Sequence, residues 1–207
     1  MKIAVIGATR GIGLATTQGA LADGHDVTVL ARRQERMPIR DPRLRVVEGN
    51  AEDAVAITEV VRGQDVVYDC LGTTQLFQPV TLFSRCAENL SRALAPEQLL
   101  IAVTGMGAGD SRGHGSLLYD YLFRPVVLGR MYADKDRQER IIMRDIDRWI
   151  IVRPGFLNNG PRTGRYRALT DLRSVRGGRI SRADVADFLI SQAGSPSFIG
   201  RTPLLIY

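Results

Sequence analysis

The chain has 207 residues, which at about 150 residues per domain is the length of one folding unit. Hydrophobic residues at 44% and charged residues at 24% exclude disordered, collagen-like and membrane-spanning classes. Lys+Arg 28 against Asp+Glu 22 leaves +6, and only Lys2 and Lys135 are lysines. Such an arginine-rich surplus suits nucleic acid, an anionic membrane or a phosphorylated ligand. Cys70 and Cys86 lack metal-like or redox-like spacing, so no metal site is expected and a reducing compartment fits. The opening MKIAVIGATRGIGLATT carries Arg10 inside its apolar stretch, which argues against a secretion signal. No apolar run approaches 18 residues. The expectation is a soluble, cytoplasmic protein.

Short β-branched runs alternate with stretches of helical period along the chain, the pattern of a parallel sheet covered on both faces. Lys2 to Ile6 reads as a buried first strand, Gly11 to Leu21 as a helix stopped at Gly24, and Asp26 to Ala31 as a second strand. Leu44 to Glu48 is a third, followed by a helix to Arg62 with Gly63 as its C-terminal cap. Asp65 to Cys70 is a fourth. Phe83, Ala87, Leu90 and Leu94 then recur at helical spacing until Pro96. Gln98 to Thr104 is a fifth strand, and GMGAGDSRGHGS after it a glycine-rich loop. A charged helix over Asp134 to Asp145, with Ile141, Ile142 and Ile146 turned inward, leads to a sixth strand, Trp149 to Arg153. Ser181 and Asp184 signal the start of a last helix, ending near Ala193, and Thr202 to Ile206 is the closing strand. The expected fold is α/β, a single Rossmann-type doubly wound parallel sheet over residues 1–207. The irregular stretch 158–179 is expected to form a substrate-side lid.

The sharpest local signal is IGATRGIG, with Gly7, Gly11 and Gly13 between the first strand and the first helix. There the chain must turn tightly, a phosphate must approach the backbone without meeting a Cβ, and the helix start offers free N–H groups. The context of a complete βαβ unit makes this a dinucleotide signature. An NAD-dependent protein usually carries Asp or Glu at the end of the second strand, to hold the ribose hydroxyls. This chain has Ala31, Arg32 and Arg33 there. A carboxylate would repel a 2′-phosphate, whereas arginine holds it by charge-assisted hydrogen bonds. The expected cofactor is NADP(H), preferred over NAD(H), with Arg10 near the same phosphate.

IGATRGIG resembles the G-x-x-x-G-x-G loop of the short-chain dehydrogenase/reductases. The ARR after the second strand, CLGT at 70–73, VTGMGAGD at 103–110, IVRPGFL at 151–157 and the closing Tyr207 resemble the family's atypical branch, which includes biliverdin-B/flavin reductases and NmrA-like and isoflavone-reductase-like proteins. The resemblance implies that Gly7, Thr9, Arg10, Gly11, Ile12 and Gly13 cradle the pyrophosphate and that Arg32 and Arg33 meet the 2′-phosphate. It further implies Asn50 and Ala51 beside the adenine, and Leu71, Gly72 and Thr73 on the ribose. Thr104 with Pro154, Gly155 and Phe156 would lie at the nicotinamide.

Departures from the family pattern are as informative. With lysines only at 2 and 135 there is no Tyr-x-x-x-Lys pair, since residue 131 is Met; Tyr132 precedes Lys135 by three. The serine that flavin reductases carry after the fifth strand aligns with Gly105, and their histidine with Phe156. Lys135 occupies the place of a catalytic lysine in isoflavone-reductase-like proteins, as proton donor or ribose anchor; the bland alternative is a surface lysine paired with Glu139. Thr104 is expected to hydrogen-bond a substrate carbonyl or the cofactor amide. His114 reads as a solvated loop histidine and Cys70 as a small buried hydrophobe. Tyr119, Tyr121 and Phe123 either wall an aromatic pocket or close the core. The expected partner is a planar small-molecule acceptor, with no nucleic acid and no membrane, bound by a monomer or homodimer. The function expected is NADPH-dependent hydride transfer to a flavin, quinone or polyketide-like ketone; the alternative is a catalytically weak NADP(H) sensor.

Overall fold

The computed structural model describes residues 1–75, 78–114, 128–173 and 175–207. In chain order the elements are β1 (Lys2–Ile6), α1 (Gly11–Ala22), β2 (Asp26–Ala31), β3 (Leu44–Glu48), α2 (Ala54–Val61), β4 (Val66–Asp69), α3 (Leu82–Ala93), β5 (Leu99–Val103), α4 (Gly129–Asp145), β6 (Trp149–Pro154), β7 (Phe156–Asn158), β8 (Arg167–Leu169), β9 (Arg179–Ser181), α5 (Arg182–Gly194) and β10 (Leu204–Ile206). The main sheet runs β3-β2-β1-β4-β5-β6-β10-β8, and β7 pairs with β9 apart from it.

Each central strand is apolar throughout because both of its faces are covered. Ile3 and Val5 of β1 point into the layer with α1 and α5, alongside Val185, Phe188 and Leu189. Ala4 and Ile6 point the other way, among residues of α2, α3 and α4 such as Ile57, Leu90 and Ile142. Tyr68, fully buried in β4, satisfies its hydroxyl by donating to the Leu189 carbonyl oxygen at 3.0 Å. Burial pushes that phenol well above its ordinary range.

Three expectations need correction. The sheet is parallel from β3 to β10, but β8 joins β10 antiparallel at the edge, a common way to finish such a sheet. The stretch expected to be irregular contains β8 and borders β7 and β9; strands of three residues are too short to show an alternating period. Helix α4 starts at Gly129, five residues before the expected start, so Tyr132 and Lys135 lie on one helix. The expected cap does form, as Ser181 Oγ accepts the Asp184 N–H at 2.9 Å.

The buried face of α4 is polar. Asp134, Lys135, Gln138 and Glu139 are all buried, and each has a specific partner. Asp134 accepts the Phe83 N–H at 2.9 Å and the Ser84 hydroxyl at 2.5 Å, which caps α3 from outside its own sequence. Gln138 Nε2 donates to Asp69 Oδ2 at 2.8 Å. Such a stripe stays inside because its hydrogen bonds replace those lost to water; among the described residues Gln138 Oε1 is the one buried side-chain atom of it left without a partner.

Candidate functional site

The chain runs from β1 outward through β2 and β3, then returns to build β4, β5 and β6 on the other side. At this reversal, outside the carboxyl ends of the strands, a doubly wound sheet leaves a crevice. A cavity of about 920 Å³ opens there. Its wall brings together Gly7, Thr9, Arg10, Gly11, Ile12, Arg32, Asn50, Ala51, Leu71, Gly72, Thr73, Thr104, Lys135, Pro154, Gly155 and Phe156. Two expected residues are not on it. Gly13 lies behind the loop, where a Cβ would overlap the Gly7 carbonyl oxygen and come within 3.1 Å of Cys70 Cβ. Arg33 is not on the wall; it directly precedes a 3-10 turn over Gln34–Arg36.

The glycines act through close approach. Gly7 has φ +84°, and a Cβ there would stand 2.7 Å from the Cys70 carbonyl oxygen at the end of β4. Helix α1 then begins at Gly11 with extended Arg10 before it, no side-chain cap and no acidic residue in its first turn. Its first N–H groups are thus left for another acceptor. In contrast α2 and α5 are capped by Asp53 and Ser181.

Lys135 is buried, which overturns the surface reading. Its Nζ donates to the Val103 carbonyl oxygen at 3.2 Å, at the end of β5, and stands 4.2 Å over the Phe83 ring. Burial pulls the ammonium down to about 8, against the opposing pull of Asp69, Glu139 and Asp134. The nearby Asp69 carboxyl is pushed up, chiefly by its own burial. Cys70, next in the chain, has its thiol held in the neutral form by burial and by Asp69, consistent with an inert packing role.

Glu139 pairs with Arg153 and not with Lys135. Arg153 closes the apolar strand β6 at 1% exposure and forks onto Glu139, Nε to Oε1 at 3.1 Å and Nη2 to Oε2 at 2.7 Å. The same Oε1 accepts the Thr104 hydroxyl proton at 2.7 Å. Thr104 therefore has no proton to offer a substrate carbonyl, contrary to that expectation; toward the cavity its oxygen is an acceptor. Asp110 completes the Arg153 cluster, and Asp136 accepts from the Gly109 N–H at 2.9 Å and from Arg112 at 2.5 Å. The glycine-rich loop after β5 is in this way tied to α4 and β6.

The 158–164 segment hangs from Asp184, whose carboxylate accepts the Thr163 N–H at 2.7 Å, the Thr163 hydroxyl at 2.8 Å, the Gly164 N–H at 2.9 Å and the Tyr207 hydroxyl at 2.8 Å. Burial raises this carboxyl, but the hydrogen bonds outweigh it and hold it below the usual range. His114 lies off the cavity wall, its Nδ1 3.0 Å from the Val175 carbonyl oxygen. Tyr119, Tyr121 and Phe123 fall outside the described residues. Tyr132, absent from the expected site, lines the cavity and donates its hydroxyl proton to the Met106 carbonyl oxygen at 2.8 Å. Arg182 and Asn159 also line it unforeseen.

A family model described as NAD(P)H-binding matches residues 7–196. Over 66 residues, 32% of this chain, the sequence is 41% identical to a (4-alkanoyl-5-oxo-2,5-dihydrofuran-3-yl)methyl phosphate reductase of Streptomyces griseus. That match spans 23% of the relative's length. Two solved structures share the fold across the whole chain. ChuY, an anaerobillin reductase from Escherichia coli O157:H7, superposes with TM-score 0.82 at 22% identity, covering 97% of its chain. A short-chain dehydrogenase/reductase from Veillonella parvula in complex with NADP gives 0.80 at 16%, covering 94%. No helix among the described residues is long and apolar enough to cross a membrane.

Proposed function

The chain belongs to the NAD(P)H-binding family, and on that premise we propose that it is an NADPH-dependent reductase that passes hydride to a flat conjugated acceptor such as a flavin, quinone or polyketide-like ketone. The observation that carries this reading is one cavity whose wall takes in Gly11 at the start of α1, Arg32 and Asn50 after β2 and β3, and Lys135 and Phe156. The residues fit the dinucleotide. The close-packed glycines keep the backbone bare, the uncapped start of α1 supplies N–H donors, and Gly11 faces space that, among the described residues, the Arg182 side chain alone approaches, at 3.9 Å.

In this reading Gly7, Thr9, Arg10, Gly11 and Ile12 hold the pyrophosphate, Arg32 the 2′-phosphate, Asn50 and Ala51 the adenine, and Leu71 to Thr73 the ribose. Gly13 contributes by letting α1 pack against Gly7. Thr104, its proton fixed on Glu139, accepts a hydrogen bond from the nicotinamide carboxamide beside Pro154 to Phe156. The bound cofactor supplies hydride. Phe156 and Leu157, 42% and 38% exposed at the mouth, give an apolar wall on which a planar acceptor stacks and which excludes water. Lys135 holds a proton at Nζ that it can release near neutral pH. Flavins and quinones also take protons from solvent, so the absent Tyr-x-x-x-Lys pair is tolerated, and positioning does most of the catalysis.

The purified protein is expected to consume NADPH with at least one member of a flavin and quinone panel. Tight NADPH binding without turnover by any acceptor would instead support a redox sensor. Arg32→Ala should weaken NADPH binding by about 10- to 160-fold, from charge-assisted hydrogen bonds of about 1.5–3 kcal/mol, with NADH affinity unchanged. Arg33→Ala, off the cavity wall, should leave both affinities unchanged. An unaltered NADPH/NADH ratio in Arg32→Ala would refute the cofactor preference.

A further inference from the structure

Arg182 is the first residue of α5, directly after the capping Ser181. Its side chain reaches across to α1, where Nε and Cδ lie 3.9 and 4.0 Å from the place a Gly11 Cβ would take. Nη1 donates to Asn159 Oδ1 at 2.7 Å. Arg182 and Asn159 both line the cavity that contains Gly11. Arg112, Arg137, Arg153 and Arg162 each have a carboxylate within 4.0 Å, whereas Arg40, Arg148 and Arg167 bond backbone carbonyl oxygens away from the cavity. The partner of Arg182 is a neutral amide, which aims the guanidinium without neutralising it.

The surroundings are of mixed sign: the Asp184 carboxylate shares the first turn of α5, but its oxygens are taken by Thr163, Gly164 and Tyr207. A cation at the first position of a helix faces the unfavourable end of that helix's dipole. Opposite it, α1 begins with an uncapped first turn without an acidic residue, next to Arg10. A half-buried guanidinium held in such a field calls for an anion that can be gripped from two sides, by N–H groups of α1 and by the arginine fork.

We propose that Arg182 is a phosphate-binding residue of this cavity that closes over the pyrophosphate of NAD(P)H from the α5 side, with Asn159 as the residue that positions it. This rests on the dinucleotide reading above and goes beyond it by assigning the pyrophosphate a second grip, contributed from far along the chain. Its role differs from that of Arg32. The pyrophosphate is common to both nicotinamide cofactors, so Arg182 sets affinity without setting the choice between them.

The test is a titration of the full-length protein and its Arg182→Gln and Asn159→Ala variants with NADPH, NADH and adenosine 2′-monophosphate, which has no pyrophosphate. Arg182→Gln is expected to weaken NADPH and NADH by the same factor, about tenfold or more, and to leave the 2′-monophosphate unaffected. Asn159→Ala should move both cofactors in the same direction by less. Unchanged affinities in Arg182→Gln overturn the proposal. So does a loss confined to NADPH, which places Arg182 on the 2′-phosphate, and so does a raised KM for an anionic acceptor at constant cofactor affinity. Wild-type protein that binds neither dinucleotide overturns the underlying reading and the assignment with it. If Arg182→Gln does not fold, Arg182→Lys, which keeps charge but not the fork, should show a smaller equal loss for both cofactors, and no loss overturns the proposal.

Discussion

Glu139→Gln is the most informative single change for the architecture of the site. In the wild type Arg153, 1% exposed, spends two of its donors on the Glu139 carboxylate, itself 2% exposed, and the remaining partner Asp110 is largely in solvent. The amide keeps the shape and one acceptor oxygen, so the Thr104 hydroxyl can stay bonded. It removes the charge and turns an NH2 toward Arg153. Breaking one side of a buried ion pair costs about 3–5 kcal/mol, because the other charge is left uncompensated. Unfolding entropy of about 2.1 cal/mol/K per residue over 207 residues gives about 0.43 kcal/mol per kelvin, hence a Tm lower by about 7–12 °C. Thermal unfolding followed by circular dichroism reads this directly. Asp171→Asn, which removes a pair exposed at 61% and 90%, is the control and should leave Tm unchanged. Glu139→Leu combined with Arg153→Met should recover most of the loss, since neither charge is then stranded. A Tm drop below about 2 °C for Glu139→Gln would refute the reasoning.

The remaining predictions concern the cavity. With Lys135 pulled to about 8 by burial, its donor form is present at lower pH, so turnover should fall as pH rises through about 8 and become flat across that range in Lys135→Met. A wild-type profile without this descending limb excludes Lys135 as the proton source. The same depressed value means that the folded state binds fewer protons than the unfolded chain between about 8 and 10.5, so this group adds stability as pH rises across that window, measurable by denaturant unfolding. Gly13→Ala drives a Cβ into the Gly7 carbonyl and should abolish dinucleotide binding while lowering Tm; a variant with wild-type affinity sinks the close-packing account.

The central strands were legible because burial on both faces leaves an unmistakable apolar signature, as in Lys2–Ile6 and Leu99–Val103. The glycine loop was legible because its chemistry admits few other residues. The face of α4 was not. The sequence there reads only as a charged helix with three isoleucines turned inward, and Lys135 as a catalytic or a surface lysine, whereas Asp134, Lys135, Gln138 and Glu139 are each buried on a partner in a distant element: the start of α3, the end of β5, Asp69 and Arg153. Polar side chains that are paired inside carry no hydropathy signal of being inside. One clue was available: an arginine closing the apolar run WIIVR implies a buried acid somewhere in the fold. Arg182 and Asp184 were hidden for a related reason, since the capping pattern explains Ser181 and says nothing about where its neighbours point.

The first turn of α5 carries Arg182 toward Gly11 and Asp184 toward Thr163 and Gly164. About two turns further along α5 the Ile190 side chain packs over Gly19 and seats the helix on α1. Beyond Gly164 the chain returns to the core, where the Tyr166 ring meets Phe188 edge-on and its hydroxyl donates to Asp187 at 2.9 Å. The consequence is mechanical: the backbone at Thr163 and Gly164 and the arginine beside Gly11 are held by one helix start, so neither moves without the other.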